Sequence, residues 1–150
     1  MPHIYWFTGQ PAHGKTVLAT KLVAHLQSTS DSPVFHLDGD DLRELTVNKD
    51  YSPEGRINNI RNAQMIAEFC FRNDCDVVVS LVAPYKWLRE EFKQRIGIDH
   101  FTEFYVHTTE PRERDHFHAP DYEPPTEHFC DIDTTEDSPE ESFQLVLQTL

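Results

Sequence analysis

The sequence has no run of 18 apolar residues, so no membrane-spanning helix and no membrane partner are expected. It has no basic N-terminal stretch followed by an apolar one, so no signal peptide is expected either. Cysteines number 3 in 150 residues: Cys70, Cys75 and Cys130. Without a secretion signal they read as reduced thiols in a cytoplasmic setting. Positive charge is scarce, with 13 Lys and Arg against 26 Asp and Glu and a net charge of −13. That balance disfavours a broad nucleic-acid footprint, because phosphate contacts need a basic surface. The acid is concentrated between Glu110 and Glu141, where the only basic side chains besides histidine are Arg112 and Arg114. This bias reads as a solvated face. The length suits one domain, residues 1–150, with no internal repeat and no linker.

What is present is organised around Gly9-Gln10-Pro11-Ala12-His13-Gly14-Lys15-Thr16. This is G-x-x-x-x-G-K-T, a phosphate-binding loop. The apolar run from His3 to Thr8 before it reads as a buried strand. Val17 to Gln27 after it carries apolar residues at 18, 22 and 26, and at 19 and 23, which is helical spacing. The loop therefore joins a strand to a helix N-terminus. Its glycines would let backbone N–H groups converge on phosphate oxygens, with the positive end of the helix dipole behind them. Lys15 would reach the β- and γ-phosphates of ATP, and the Thr16 hydroxyl would ligate Mg²⁺.

Later segments alternate strand and helix, which predicts an α/β fold: a mainly parallel sheet flanked by helices in three layers. Val34 to Asp38 reads as the second strand. It ends in Asp38-Gly39-Asp40-Asp41, where a carboxylate could serve as base or as Mg²⁺ partner. The plainer reading is that Asp40 or Asp41 caps a short helix, Leu42 to Leu45. Ile57 to Arg72 reads as a long helix with Ile57, Ile60, Met65, Ile66 and Phe69 towards the core. Arg43, Arg56 and Arg61 suit phosphate- or sulfate-like groups, or ordinary surface ion pairs. Asp76 to Val82 reads as a central strand buried on both faces, Trp87 to Ile96 as a helix, and Phe101 to His107 as the fourth strand. Pro111 to His116 reads as a helical turn leading into a lid or covering loop at about 110–125. Ile132 marks a last short strand, and Ser138-Pro139-Glu140-Glu141 is a capping box opening the final helix, Phe143 to Leu150.

Taken together, Leu37-Asp38-Gly39-Asp40-Asp41-Leu42-Arg43, Asn48-Lys49-Asp50, Arg56-Ile57-Asn58-Asn59-Ile60-Arg61, Ser80-Leu81-Val82-Ala83-Pro84-Tyr85-Lys86 and Asp121-Tyr122-Glu123-Pro124-Pro125 resemble the adenylylsulfate kinase family of P-loop kinases. The resemblance covers most of the chain. It implies transfer of the γ-phosphoryl group of ATP to the 3′-hydroxyl of adenosine 5′-phosphosulfate, a small nucleotide, with Mg²⁺. It implies that Asp40 orients or deprotonates the acceptor hydroxyl, with Lys15 and Asp38 assisting, and that Thr16 and Asp38 hold Mg²⁺, partly through water. It implies that Arg43, Arg56 and Asn59 hold the acceptor, that Tyr51 stacks on adenine, that Ser80 lies near the phosphates, and that Pro84 to Lys86 closes the acceptor side. Phe117 is the expected aromatic opposite Tyr51. A homodimer stays an open alternative.

Three departures accompany this resemblance. The loop between Asp50 and Arg56 is about two residues short of the family pattern. Val17 stands where a second hydroxyl residue is usual. The family's basic lid is nearly deleted, Arg112 to Phe117 running almost directly into Asp121. A lid excludes water and completes a site, so another acceptor stays open: a nucleotide, a sugar, or a hydroxymethylated base in viral DNA. A non-catalytic nucleotide-binding module is the third reading. His116, His118, His128 and Cys130 have the chemistry to bind zinc, but their spacing matches no common finger, and incidental histidines in a polar loop are the expected reading.

Overall fold

The computed structural model describes residues 2–11, 13–109 and 119–150. Its elements are β1 (Ile4–Thr8), α1 (Lys15–Thr29), β2 (Val34–Asp38), α2 (Gly39–Thr46), α3 (Pro53–Arg72), β3 (Asp76–Ser80), α4 (Lys86–Ile96), a 3₁₀ turn (Ile98–His100), β4 (Phe101–His107), β5 (Cys130–Asp133) and α5 (Pro139–Leu147). The five strands form one sheet in the order β2-β3-β1-β4-β5, and every ladder among the described residues is parallel. No helix among these residues is long and apolar enough to cross a membrane.

Three layers follow from the period-two alternation of the strands. Ile4, Trp6, Val77 and Val79 face α3 and α4, where they meet Ile60, Ala63, Ala67, Leu88 and Phe92. Phe7, Val78, Phe104 and Val106 face the other way, onto Leu18, Leu22 and Leu26 of α1 and Val146 of α5. Val77, Val78 and Val79 are all fully buried, as a central strand covered on both faces requires.

The buried face of α3 differs from the expected one. Ile60, Ala63, Gln64 and Ala67 are buried, whereas Met65, Ile66 and Phe69 are exposed. Two alanines make that face short enough for α3 to lie close to the sheet, so the larger apolar residues fall outside. Helix α5 begins at Pro139, not Phe143, because the Ser138 side chain accepts from the Glu141 backbone and Glu141 reaches back to Ser138. Helix α2 likewise begins earlier than expected, at Gly39, and its cap is Asp38 rather than Asp40 or Asp41.

Helix α4 carries a buried ionic cluster that its sequence did not announce. Glu103 of β4 accepts from Arg89 Nε at 3.0 Å and from Lys93 Nζ at 2.6 Å, and all three side chains are nearly sealed from solvent. Arg89 also donates to the carbonyls of Ala83 and Glu123. Lys93 also donates to those of Glu127 and His128. The bonds to Glu123, Glu127 and His128 hold the end of the expected lid and the segment after it against the core. Tyr122 adds a 2.8 Å bond to Thr8, whose hydroxyl donates to the Val82 carbonyl at 2.8 Å. The described part of the 110–125 stretch is thus bound down. The expected helical turn from Pro111 to His116 lies outside the described residues.

Candidate active site

Open parallel sheets bind ligands at the carboxyl ends of strands whose following helices pack on opposite faces. Here that point lies between β1, followed by α1 on one face, and β3, followed by α4 on the other. The loop from Gly9 to Gly14 leaves β1 there. Gly9 has φ +149°, and a Cβ on it would sit 2.1 Å from the Val106 carbonyl oxygen. Gly14 caps α1 at φ +102°. Both positions need glycine, one for close approach and one for a left-handed turn. Lys15 is buried and its Nζ donates to the Gln10 carbonyl at 2.7 Å.

A cavity of about 320 Å³ opens from this loop. Its wall includes Pro11, Gly14, Lys15, Thr16, Asp38, Asp40, Arg43, Tyr51, Arg56, Asn59 and Ser80, so most of the residues named from sequence converge on one space. Asp38 is its corner. Its Oδ1 accepts from the Thr16 hydroxyl at 2.9 Å and the Ser80 hydroxyl at 2.8 Å, and its Oδ2 from the Asp40 N–H at 3.2 Å. Behind Ser80, His36 Nε2 lies 2.9 Å from Oγ. Burial pushes the His36 imidazole below its ordinary value, against the opposing pull of Asp38 and Asp41.

The far wall belongs to α2 and α3. Arg43 donates to the Asn48 and Asp50 carbonyls and to the Asn48 side chain, and its guanidinium lies 4.0 Å from the centroid of the Tyr51 ring. It therefore shapes the short loop as well as lining the cavity. Gly55 allows that loop to close, since a Cβ there would lie 2.1 Å from the Asp50 carbonyl oxygen. Arg56, in the first turn of α3, lies 3.9 Å from Asp121 of the covering segment. Asn59 is only 2 % exposed, yet its Oδ1 accepts no hydrogen bond among the described residues. An orphaned buried acceptor in a cavity wall costs about 1–3 kcal/mol, which a bound donor would recover.

The remaining residues singled out from the sequence engage other groups or fall outside the described residues. Lys86 does not line the cavity, because α4 starts at this residue and carries the chain away. Its backbone N–H donates to Glu123 Oε1 at 3.1 Å. Arg61 pairs with Glu91 at the surface, 3.4 Å away. Gln10 does not offer its side chain to the phosphate loop's interior but clasps Ala119, with 2.8 Å bonds to both its N–H and its carbonyl. Ala12 and Phe117 lie outside the described residues, as do His116 and His118 of the suggested zinc set. No group of three metal-ligating side chains occurs among the described ones.

A second cavity, about 230 Å³, was not expected. It is lined by His13, Gly14, Val17, Leu18, Thr134, Asp137, Pro139 and Ser142. The signal was present in Ser138-Pro139, read only as a helix start. That this start would lie beside α1 is a consequence of sheet order, which pairs β5 with β4 and brings α5 onto α1.

A family model described as adenylylsulphate kinase matches residues 1–146. An adenylyl-sulfate kinase from Synechococcus sp. is 33 % identical over 162 aligned positions, covering 97 % of this chain and 92 % of that protein. The alignment is longer than the 150-residue chain, so the relative carries residues that this chain lacks. The solved APS kinase of Mycobacterium tuberculosis in complex with AMPPNP and APS superposes with TM-score 0.79 at 23 % identity, covering 98 % of this chain and 96 % of that one, a likeness of fold. A hexameric APS kinase from Thiobacillus denitrificans gives TM-score 0.78 at 28 % identity, covering 99 % of this chain but 28 % of the other.

Proposed function

This chain belongs to the adenylylsulphate kinase family, and we propose that the two cavities described above divide the work of phosphorylating adenosine 5′-phosphosulfate with ATP to give 3′-phosphoadenylyl sulfate. One observation carries the division. The larger cavity runs unbroken from Lys15 and Thr16, past Asp38 and Asp40, to Arg43, Tyr51, Arg56 and Asn59. A phosphate held at the loop and an acceptor held on α2 and α3 would meet over the aspartates.

ATP enters with its phosphates on the amides of the Gly9–Gly14 loop and its base and ribose in the smaller cavity between α1 and α5. Lys15 leaves the Gln10 carbonyl for the β- and γ-phosphates. Asp40 lies at the N-terminal end of α2, on the cavity wall, where it accepts the proton of the attacking hydroxyl. Arg56 and Arg43 face the anionic end of the acceptor, Asn59 supplies the unused carbonyl oxygen to a donor on it, and Tyr51 lies against its base.

Thr16 and Asp38 form an all-oxygen corner at the start of α1. Such a set fits Mg²⁺, which takes one or two protein oxygens and completes its shell with phosphate and water. When bound, the ion would neutralise charge developing on the transferred group. The free thiols of Cys70, Cys75 and Cys130 support a cytoplasmic setting.

The test is transfer of label from γ-labelled ATP with Mg²⁺, with and without adenylyl sulfate. Label appearing in 3′-phosphoadenylyl sulfate, and lost with Lys15→Ala and Asp40→Asn, is the expected result. ATP binding without that product would remove the acceptor assignment and turn the search to other hydroxyl acceptors.

A further inference from the structure

His36, Asp38 and Ser80 share one face of the sheet. His36 and Asp38 are two apart on β2, and Asp38 pairs directly with Ser80 across the β2–β3 ladder. The same face receives α1, which brings Thr16 to Asp38. The side chains link in a chain from His36 Nε2 to Ser80 Oγ at 2.9 Å, then to Asp38 Oδ1 at 2.8 Å, which also takes Thr16 Oγ1 at 2.9 Å. A serine hydroxyl has one proton. If Ser80 gives it to Asp38, His36 must be the donor to Ser80, so the imidazole carries its proton on Nε2. Every proton in the chain then points toward one carboxylate oxygen.

We propose that His36 is a positioning residue for the Mg²⁺ corner: it fixes the Ser80 hydroxyl as a donor to Asp38, and so fixes the carboxylate that orients the Thr16 hydroxyl. This rests on the reading of Thr16 and Asp38 as the Mg²⁺ partners. The bland alternative is a half-buried histidine that has merely found a partner for its ring nitrogen. The two differ in what they couple to. A merely structural histidine affects fold and nucleotide affinity regardless of metal. A positioning one affects the gain in affinity that Mg²⁺ confers.

The experiment measures binding of a fluorescent ATP analogue to the full chain, with Mg²⁺ and with chelator, for the unaltered protein, His36→Leu and His36→Gln. Glutamine places an N–H close to where Nε2 stood; leucine removes it. Outer partners of a metal ligand typically matter by 10–100-fold in metal affinity, and His36 stands one step further out, so a loss of roughly three- to tenfold is expected. That loss should appear in His36→Leu with Mg²⁺ only, metal-free affinity should be unchanged, and His36→Gln should recover most of it. A leucine variant with the full Mg²⁺ gain overturns the proposal. So does an equal loss with chelator, or an equal loss in the glutamine variant. An unaltered protein whose ATP affinity ignores Mg²⁺ overturns both this proposal and the metal reading beneath it. Failure to phosphorylate adenylyl sulfate while the Mg²⁺ gain persists bears on the acceptor alone.

Discussion

Glu103→Gln is the substitution whose cost the structure defines best. The side chain is 1 % exposed, and its two oxygens neutralise Arg89 and Lys93, themselves 3 % and 1 % exposed. The amide keeps the shape and removes the charge. Two buried cations then share Glu90, on the rim, and four backbone carbonyls. Breaking a buried pair by removing one partner costs about 3–5 kcal/mol. The carbonyls and Glu90 stay in place, which puts the expected loss near the lower end, about 3 kcal/mol. For a chain of this size that lowers the melting temperature by roughly 6–12 °C. It is also a large share of a typical total stability of about 5–15 kcal/mol. Urea denaturation of both proteins measures it directly. Adding Lys93→Met to Glu103→Gln should recover part of the loss, because one unmatched charge goes with it. Replacing the whole cluster by apolar residues should not be neutral here, since the carbonyls of Ala83, Glu123, Glu127 and His128 would lose their donors. A Glu103→Gln protein within about 1 kcal/mol of the original would refute the picture of a sealed ionic cluster.

Asn59→Ala removes the orphaned acceptor from the cavity wall; steady-state kinetics should show KM for adenylyl sulfate raised roughly tenfold, with KM for ATP nearly unchanged. Gly9→Ala forces a side chain into the Val106 carbonyl at a φ that disfavours it, so calorimetry should show loss of MgATP binding or of the folded state. The arginine pair Arg95 and Arg72, acting against the opposing effect of burial, holds Glu68 below its ordinary value of 4.5. A depressed folded-state value adds stability above the unfolded-state value that is lost as pH falls through the folded one. Stability measured in urea should therefore decline below about pH 4.5, and Glu68→Gln should flatten that part of the curve.

The strands were legible because β1 and β3 are short apolar runs, the first largely aromatic and the second all valine at its centre; β2 and β4 have the expected ends. The buried face of α3 was not. Met65, Ile66 and Phe69 have the hydrophobicity of core residues, and only the proximity of helix and sheet shows that Ala63 and Ala67 fill that space. The cap of α2 was misassigned for a similar reason. Asp38, Asp40 and Asp41 are chemically alike, and the backbone at Asp38 (φ −98°, ψ 135°) is what makes it the cap. That Pro84 lines the cavity and Lys86 does not could not be read from the motif, because a motif in sequence gives no direction of exit from a strand.

By itself the sequence determined the phosphate loop, its strand and helix, the α/β class and the family likeness, since all of these depend on residue type at short spacing. Tertiary structure decided what depends on pairings far apart in the chain. Asp38 meets Ser80 across 42 residues and Gln10 meets Ala119 across 109. The order of the strands placed α5 beside α1 and made the second cavity. Arg89 and Lys93 look like surface charges on a helix until β4 sets Glu103 between them. No local pattern encodes such a meeting, because each partner satisfies its own local rules whether or not the other arrives.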